Sequence, residues 1–400
     1  MATRTLYLYG AYDWALALTV LLYIQTALTF SAISVAWIDL IKTFAISYTF
    51  LGFISVIGAA LSMVSMLIGG SIVSHIGTRK TLLITIPLLV FSHLLLALAP
   101  SQSMLIVVNV GWGLGFGAML VACTSVVIDW ERVRGKRIID AFQAGWNVAS
   151  IAGAVLGGYL LSIGWDYRDI MWLAAMSSAP FVVLIGLSAF PRSGAHEESG
   201  HPFAGLQLIA GHRTLAIIGA LVVITTFAQN IGVSWSPIYL DTLGADPLIS
   251  GSALAAFQGA TALFRLSNGL LVTRFGARAI LWCGAVGITF AGVLLYFSTN
   301  QYFVLAAFII LGAAVAGAQP TAISLGVKLM PTRTALVSGG ILALGEVGFT
   351  VSTPMLGWLA DQASLQTALA TALPCGVLMW IVVFWLPRHQ KMSATHSSVS

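Results

Sequence analysis

Two full charges stand inside long apolar runs of this sequence: Arg265, about eight residues from one end of its run, and Glu346, about a dozen from the end of its own. At roughly 1.5 Å of helix per residue, both depths reach the middle of a bilayer. A charge there costs about 2.5–3.5 kcal/mol on insertion scales, and it persists where it meets a partner or a water-filled path. Two readings follow, and they are compatible. The pair neutralises itself, or at least one member handles substrate or protons. Around them stand amides and indoles in the same kind of sequence, Gln25, Asn109, Trp112, Asn147, Gln229, Asn230, Trp235 and Gln319. Amides and tryptophans suit a neutral polyhydroxylated ligand and Arg265 suits a carboxylate, although each amide serves equally well as an interhelical hydrogen bond.

Other chemistries find no support in the residue pattern. His75, His93, His196, His201, His212, His389 and His396 are scattered, and no His, Cys and carboxylate cluster has catalytic or metal-ligand spacing. Cys123, Cys283 and Cys375 lie far apart in apolar sequence, which reads as packed thiols. Gly111, Gly113, Gly115 and Gly117 sit in an apolar run with no strand before them, so they read as a helix-packing face and not as a phosphate loop. No Gly-x-x-x-x-Gly-Lys-(Ser/Thr) motif is present. The expectation is a protein that is not an enzyme and takes no cofactor and no metal.

Such residues need a scaffold, and composition says which. The 400 residues are 58% hydrophobic and 8% charged, with a mean hydropathy of +0.96, whereas soluble domains carry roughly 25% charged residues. With roughly 20 apolar residues needed per crossing, twelve runs can be placed, at about 14–36, 48–72, 81–99, 104–127, 139–162, 171–190, 214–239, 250–272, 279–298, 302–327, 335–360 and 365–386. The fold class is therefore an all-α polytopic membrane protein with 12 transmembrane helices. The first run is too long for a signal-peptide core and stays as a membrane helix. Residues 37–42 are expected to form the loop into the second helix, and Pro100 to Ser103 the turn before the fourth.

Cytoplasmic loops accumulate Lys and Arg. With both termini on one side, fifteen of the eighteen Lys and Arg fall there, and the opposite loops carry Asp39, Asp166, Asp169, Asp241, Asp246 and Asp361. That places both termini in the cytoplasm of an inner or plasma membrane. The net charge of +5 then records topology, with the lipid bilayer as partner and no nucleic acid.

The sequence is also written twice. Gly70, Gly77 and Arg79 return as Gly269, Gly276 and Arg278, and Gly113, Arg134 and Gly158 as Gly312, Arg333 and Gly357, each 199 positions on. This predicts two pseudo-symmetric six-helix halves, 1–190 and 214–390, joined by a polar linker at 191–213 and followed by a tail at 391–400. Each basic loop joins two runs through a glycine that permits positive φ, and its arginines stop the apolar segment at the membrane surface.

The duplicated loop resembles the signature of the major facilitator superfamily, Gly-x-x-x-Asp-(Arg/Lys)-x-Gly-x-(Arg/Lys), here Gly70, Ser74, His75, Gly77, Arg79 and Lys80, and again Gly269, Thr273, Arg274, Gly276 and Arg278. The family's acid is Ser74 in one copy and Thr273 in the other. Helix 5 is similar to a drug-antiporter pattern but has Ala149 and Ala154 where that pattern has glycine and proline. Trp235-Ser236-Pro237-Ile238-Tyr239-Leu240, Glu131-Arg132 followed by Arg137-Ile138-Ile139 and Phe142, and Arg265 four residues before Gly269 look like the fucose-permease-like branch and its bacterial relatives.

The resemblance implies a monomeric secondary transporter, or permease, that moves a small sugar-like or organic-anion solute by alternating access with proton coupling. Drug or metabolite efflux, and a receptor or scaffold on the same fold, are the alternatives. It implies a central cavity lined by helices 1, 4, 7 and 10 and flanked by 2, 5, 8 and 11, which makes the charged, amide and indole residues above its candidate lining. It also makes the two signature loops, with Glu131 and Arg134, candidate gates.

Overall fold

The computed structural model describes residues 2–136, 138–190 and 204–386. Arg137, Arg192, Arg388, Lys391, most of the expected linker and the expected tail lie outside the described residues.

Among the described residues, twelve helical spans are long and apolar enough to cross a membrane. The N-terminal half comprises α1 (Ala2–Phe44), α2 (Tyr48–Ile76), α3 (Thr78–Ala97), α4 (Met104–Arg134), α5 (Ile139–Ser162) and α6 (Tyr167–Leu187). After a short α7 (Ala204–Ala210), the C-terminal half comprises α8 (Arg213–Thr242), α9 (Pro247–Phe275), α10 (Ala277–Phe297), a tenth span made of α11 (Gln301–Ala316) and α12 (Ala318–Leu329), α13 (Thr334–Gln362), and a twelfth span made of α14 (Leu365–Leu369) and α15 (Ala372–Trp385). The break in the tenth span falls at Gly317, just before Pro320, which cannot donate to the helical ladder. Large side chains such as Leu187 and Phe297 are 83% and 77% exposed. On a protein in water that would be a liability, whereas against lipid it satisfies the apolar surface.

The chain turns differently from expectation at one point. Residues 37–42 are helical, and α1 runs on to Phe44 before Ala45 turns with φ of 49°. The polar residues that suggested a loop are used within the helix: Asp39 accepts from the Tyr167 amide at 2.8 Å, and Lys42 donates to Asp241 at 2.7 Å. Part of the expected linker is also ordered, because α7 docks on α13, with Gly205 against the backbone of Leu336 and Gly340.

The two basic loops are superimposable in detail. Gly77 has φ 85° and ψ 151° and its N–H closes on Val73 at 2.9 Å, and Gly276 has φ 87° and ψ 150° and closes on Val272 at 2.8 Å. A side chain would strain both positions. Arg79 then donates to the Ile185 and Gly186 carbonyls at the end of α6, and Arg278 to the Phe384 and Leu386 carbonyls at the end of α15. Each guanidinium satisfies orphan carbonyls at a helix C-terminus, where the helix dipole favours a cation.

The glycines of α4 confirm the packing reading. Gly113 and Gly117 face the Gly58 and Ser62 backbone of α2, while Gly111 and Gly115 face Ser92 and Leu89 of α3. With two faces of α4 committed to helix contacts, the third, carrying Asn109, Trp112 and Phe116, is left for the interior.

Candidate functional site

The halves meet at one end. A Cβ on Gly158 of α5 would lie 2.7 Å from the Pro247 carbonyl of α9, and one on Gly52 of α2 would lie 2.6 Å from Pro354 of α13. Asp361 of α13 accepts from the Tyr48 and Thr49 amides at 3.0 and 2.7 Å, so a carboxylate of one half caps a helix of the other. These contacts all lie on the side that carries Asp166, Asp241, Asp246 and Asp361. On the basic side Gly70 and Gly269 have nothing within 4 Å of an added Cβ, and Leu270 is 79% exposed.

Above the closed end lies a cavity of about 250 Å³ between the halves. Its wall comes from α1 to α4 on one side and from α8 and α13 on the other. One face is an aromatic panel. Trp112 and Phe116 stack at 4.6 Å, and Phe30 lies parallel to both at 5.9 and 6.0 Å. The opposite face holds Trp235, Ser234, Phe349, Thr353 and Glu346. Trp235 is fully buried at the closed end with its edge on Tyr48, and its indole N–H has no acceptor. Glu346 is exposed, and because the acidic end is shut, water reaches it from the basic side.

Hydrogen bonding in the wall is one-sided. Ser34, Ser55 and Ser92 donate to carbonyls of their own helices at 2.9, 2.8 and 2.8 Å, and Asn109 donates to Leu105 at 2.9 Å. Ser234 donates to Asn230 at 2.6 Å and Thr353 to Phe349 at 3.4 Å. With those hydroxyl protons committed, the serine oxygens keep lone pairs to offer, while the Thr353 oxygen already accepts from Asn230 at 2.7 Å and Asn109 retains a second N–H. Among the described residues the wall contains no Lys or Arg.

Of the candidate residues, Asn109, Trp112, Trp235 and Glu346 stand in the cavity wall, and the others stand outside it. Gln25 ties α1 to α6 through Ser177 and Ser178, both at 2.9 Å, and Asn230 ties α8 to α13 through Ser352 and Thr353, both at 2.7 Å. Gln319 packs toward Gly345, because the break at Gly317 turns α12 into its own half. Asn147 and Gln229 are half-buried outside the wall. Arg265 is also outside it, half-buried, with its Nε lacking any acceptor. Among the described residues neither Arg265 nor Glu346 has an opposite charge within 4.0 Å, so the ion pair considered from sequence is not formed here.

The candidate gate residues bond within their own halves. Ser74 donates to Ser71 and Thr273 to Gly269, both at 2.8 Å. Glu131 caps the start of α5 through the Ile139 amide at 2.7 Å, and Arg134 pairs with Asp13 of α1. Lys80 is exposed, and Arg274 lies over the adjacent Phe275 ring at 5.4 Å.

One cavity residue escaped sequence reasoning. His93 of α3 is only 6% exposed and lines the cavity, yet among the described residues its Nδ1 has no hydrogen-bond partner. It also borders a second space of about 10 Å³ beside Thr26, Thr29 and Ser178, which has room for about one water.

The profile of the Major Facilitator Superfamily matches residues 19–255 and 215–399. The chain belongs to that superfamily. It is 25% identical over 314 residues to an uncharacterised transporter of Sinorhizobium fredii, covering 76% of this chain and 80% of the relative. It is 23% identical over 322 residues to the cis,cis-muconate transport protein of Acinetobacter baylyi, covering 74% and 76%. The nucleoside transporter NupG has the same fold, with a TM-score of 0.77 over 94% of this chain and 100% of that one at 13% identity. As a superfamily member with twelve spans, the chain is a multi-pass membrane protein and a secondary transporter of a small molecule.

Proposed function

We propose that this transporter couples proton movement at Glu346 to the movement of a small solute through the central cavity, by rocking of its two pseudo-symmetric halves against each other. The protein works as a monomer in the inner or plasma membrane, with the basic loops and both termini in the cytoplasm. The observation that carries the reading is Glu346 itself. It is the one formally charged side chain of the cavity wall, it is reached by water from the open side, and it has no ion-pair partner within 4.0 Å among the described residues. A carboxyl in that position exchanges a proton with whichever side the cavity faces, which is what coupling to a gradient requires. The equivalent position in the first half, Asn147, cannot titrate, so one half carries the coupling group.

The experiment is uptake into proteoliposomes under an imposed pH gradient, with a panel of labelled solutes that includes nucleosides, xylose, cis,cis-muconate and an aromatic quaternary ammonium. The wild-type protein concentrates one class of solute. Glu346→Gln still equilibrates that solute across the membrane but does not concentrate it. Accumulation that survives Glu346→Gln refutes the coupling role, and absence of any exchange by the wild-type protein favours a receptor or scaffold.

A further inference from the structure

The cavity wall says more about the solute than that it is small. Among the described residues its only formal charge is the Glu346 carboxylate, and Arg265, a cation of comparable depth, stands outside it. The wall hydroxyls and one N–H of the Asn109 amide donate within their own half, which leaves the second Asn109 N–H, His93, Ser62 and the indoles as donors beside the acceptor oxygens. Facing the carboxylate is the parallel panel of Phe30, Trp112 and Phe116. Aromatic faces attract cations through the ring quadrupole, most strongly where water is excluded. A carboxylate, an aromatic panel and a fringe of acceptors form a site for a positively charged, partly aromatic ligand, and an anion would meet repulsion with no fixed cation to offset it.

We propose that the solute of this cavity is a small organic cation, an aromatic amine or quaternary ammonium, whose charge sits at Glu346 and whose ring lies on the Trp112 and Phe116 panel. This assignment rests on the transporter reading above. Binding is then an exchange in which the cation takes the place of the proton on Glu346 and that proton leaves to the water on the open side. Charge at the site balances, and the cycle is antiport of the cation against a proton. The groups that face Glu346 are consistent with such an exchange. Between Tyr48 and Ser74, α2 has no acidic or basic side chain, and α8 has none between Arg213 and Asp241. On α12 only Lys328 is charged, near its basic-side end, α7 has none, and His93 lies across the cavity.

The test uses the purified full-length protein in weakly buffered detergent, with benzyltrimethylammonium as the probe and benzoate and benzyl alcohol as anionic and neutral controls of similar ring size. Saturable quenching of tryptophan fluorescence by the cation is the expected result, with proton release that grows toward one per cation as the medium is made acidic enough for Glu346 to be protonated before the cation arrives. Glu346→Gln abolishes the release and weakens binding by roughly 10- to 100-fold, as loss of one charge-assisted interaction does. Glu346→Asp keeps the release, and size-exclusion profiles establish that both variants are folded. Benzoate or benzyl alcohol binding as well as the cation, or unchanged cation binding in Glu346→Gln, overturns the proposal. Counterflow in proteoliposomes separates the two claims. Cation that binds but does not exchange counts against the transporter reading and upholds the site, and benzoate that accumulates while the cation is ignored upholds transport and overturns the cation assignment.

Discussion

Lys42 of α1 donates to Asp241 of α8 at 2.7 Å across the interface between the halves, and the two positions are 199 residues apart. That is also the spacing of the duplicated glycine loops, so the two residues are equivalents in the two copies. Equivalent positions touch only on the axis that relates the copies, and the pair therefore marks the pseudo-twofold axis on the closed side. The same relation governs the glycine contacts, where Gly158 against Pro247 and Gly357 against Tyr48 are one contact repeated. Had both copies kept the same charge, the axis would repel itself. Divergence to Lys and Asp turned that position into a latch.

Because Lys42 is 60% exposed and Asp241 14%, the latch contributes about 0.2–1 kcal/mol. Lys42→Ala should shift the protein only a few-fold toward opening at the acidic side, read as faster labelling of a cysteine placed at Ser234 by an impermeant thiol reagent added on the acidic side. Lys42→Asp, which sets two carboxylates together, should shift it further. The double reversal Lys42→Asp with Asp241→Lys should restore the original labelling rate.

Close approach of α5 and α9 needs glycine on both sides, with a Cβ on Gly251 placed 2.6 Å from the Ala154 carbonyl. Gly251→Val should wedge the acidic ends apart at a cost of about 1–3 kcal/mol, and Gly52→Val, its equivalent on α2, should do the same. Spin-label distances across the acidic side should lengthen in both variants, while the same change at Gly70, which has nothing nearby, should leave them unchanged.

Arg79 and Arg278 hold helix ends within their own halves. Replacing either by alanine should lower stability by about 0.3–2 kcal/mol, measured by thermal unfolding in detergent. The two losses should add, because the sites are independent.

His93 invites a different experiment. Its Nδ1 is buried without a partner, so an apolar replacement removes an unmet desolvation cost. His93→Leu should leave the melting temperature unchanged or raised while weakening ligand binding. A structural histidine would behave in the opposite way.

The sequence carried the scaffold well because membranes impose coarse rules. Run length, Lys and Arg placement and a glycine loop copied at a fixed offset each have one dominant physical cause. The site was less readable. Asn109, Trp112, Trp235 and Glu346 line the cavity, but Gln25 and Asn230 serve helix ties and Gln319 turns away with α12 after Gly317. An amide in an apolar run has the same appearance whether it faces a neighbour or a cavity, and the face is decided by packing. His93 stood alone in an apolar run with no spacing to mark it. Residues 37–42 were misjudged as a loop because Asp39 and Lys42 find their partners on distant helices, Asp39 at Tyr167 and Lys42 at Asp241.

The central claim is that the halves rock against each other, parting at the Lys42–Asp241 pair as the basic side closes, and paired distance measurements test it most directly. Spin labels at Ser71 and Leu270 report the basic side, and labels at Ile163 and Gln362 the acidic side; each pair joins equivalent positions of the two copies, and all four residues are exposed. In liposomes, with and without an imposed pH gradient, the account predicts reciprocal populations, the first distance shortening as the second lengthens, with Glu346→Gln removing the response to pH. Two distances that stay fixed, or that lengthen and shorten together, would contradict it.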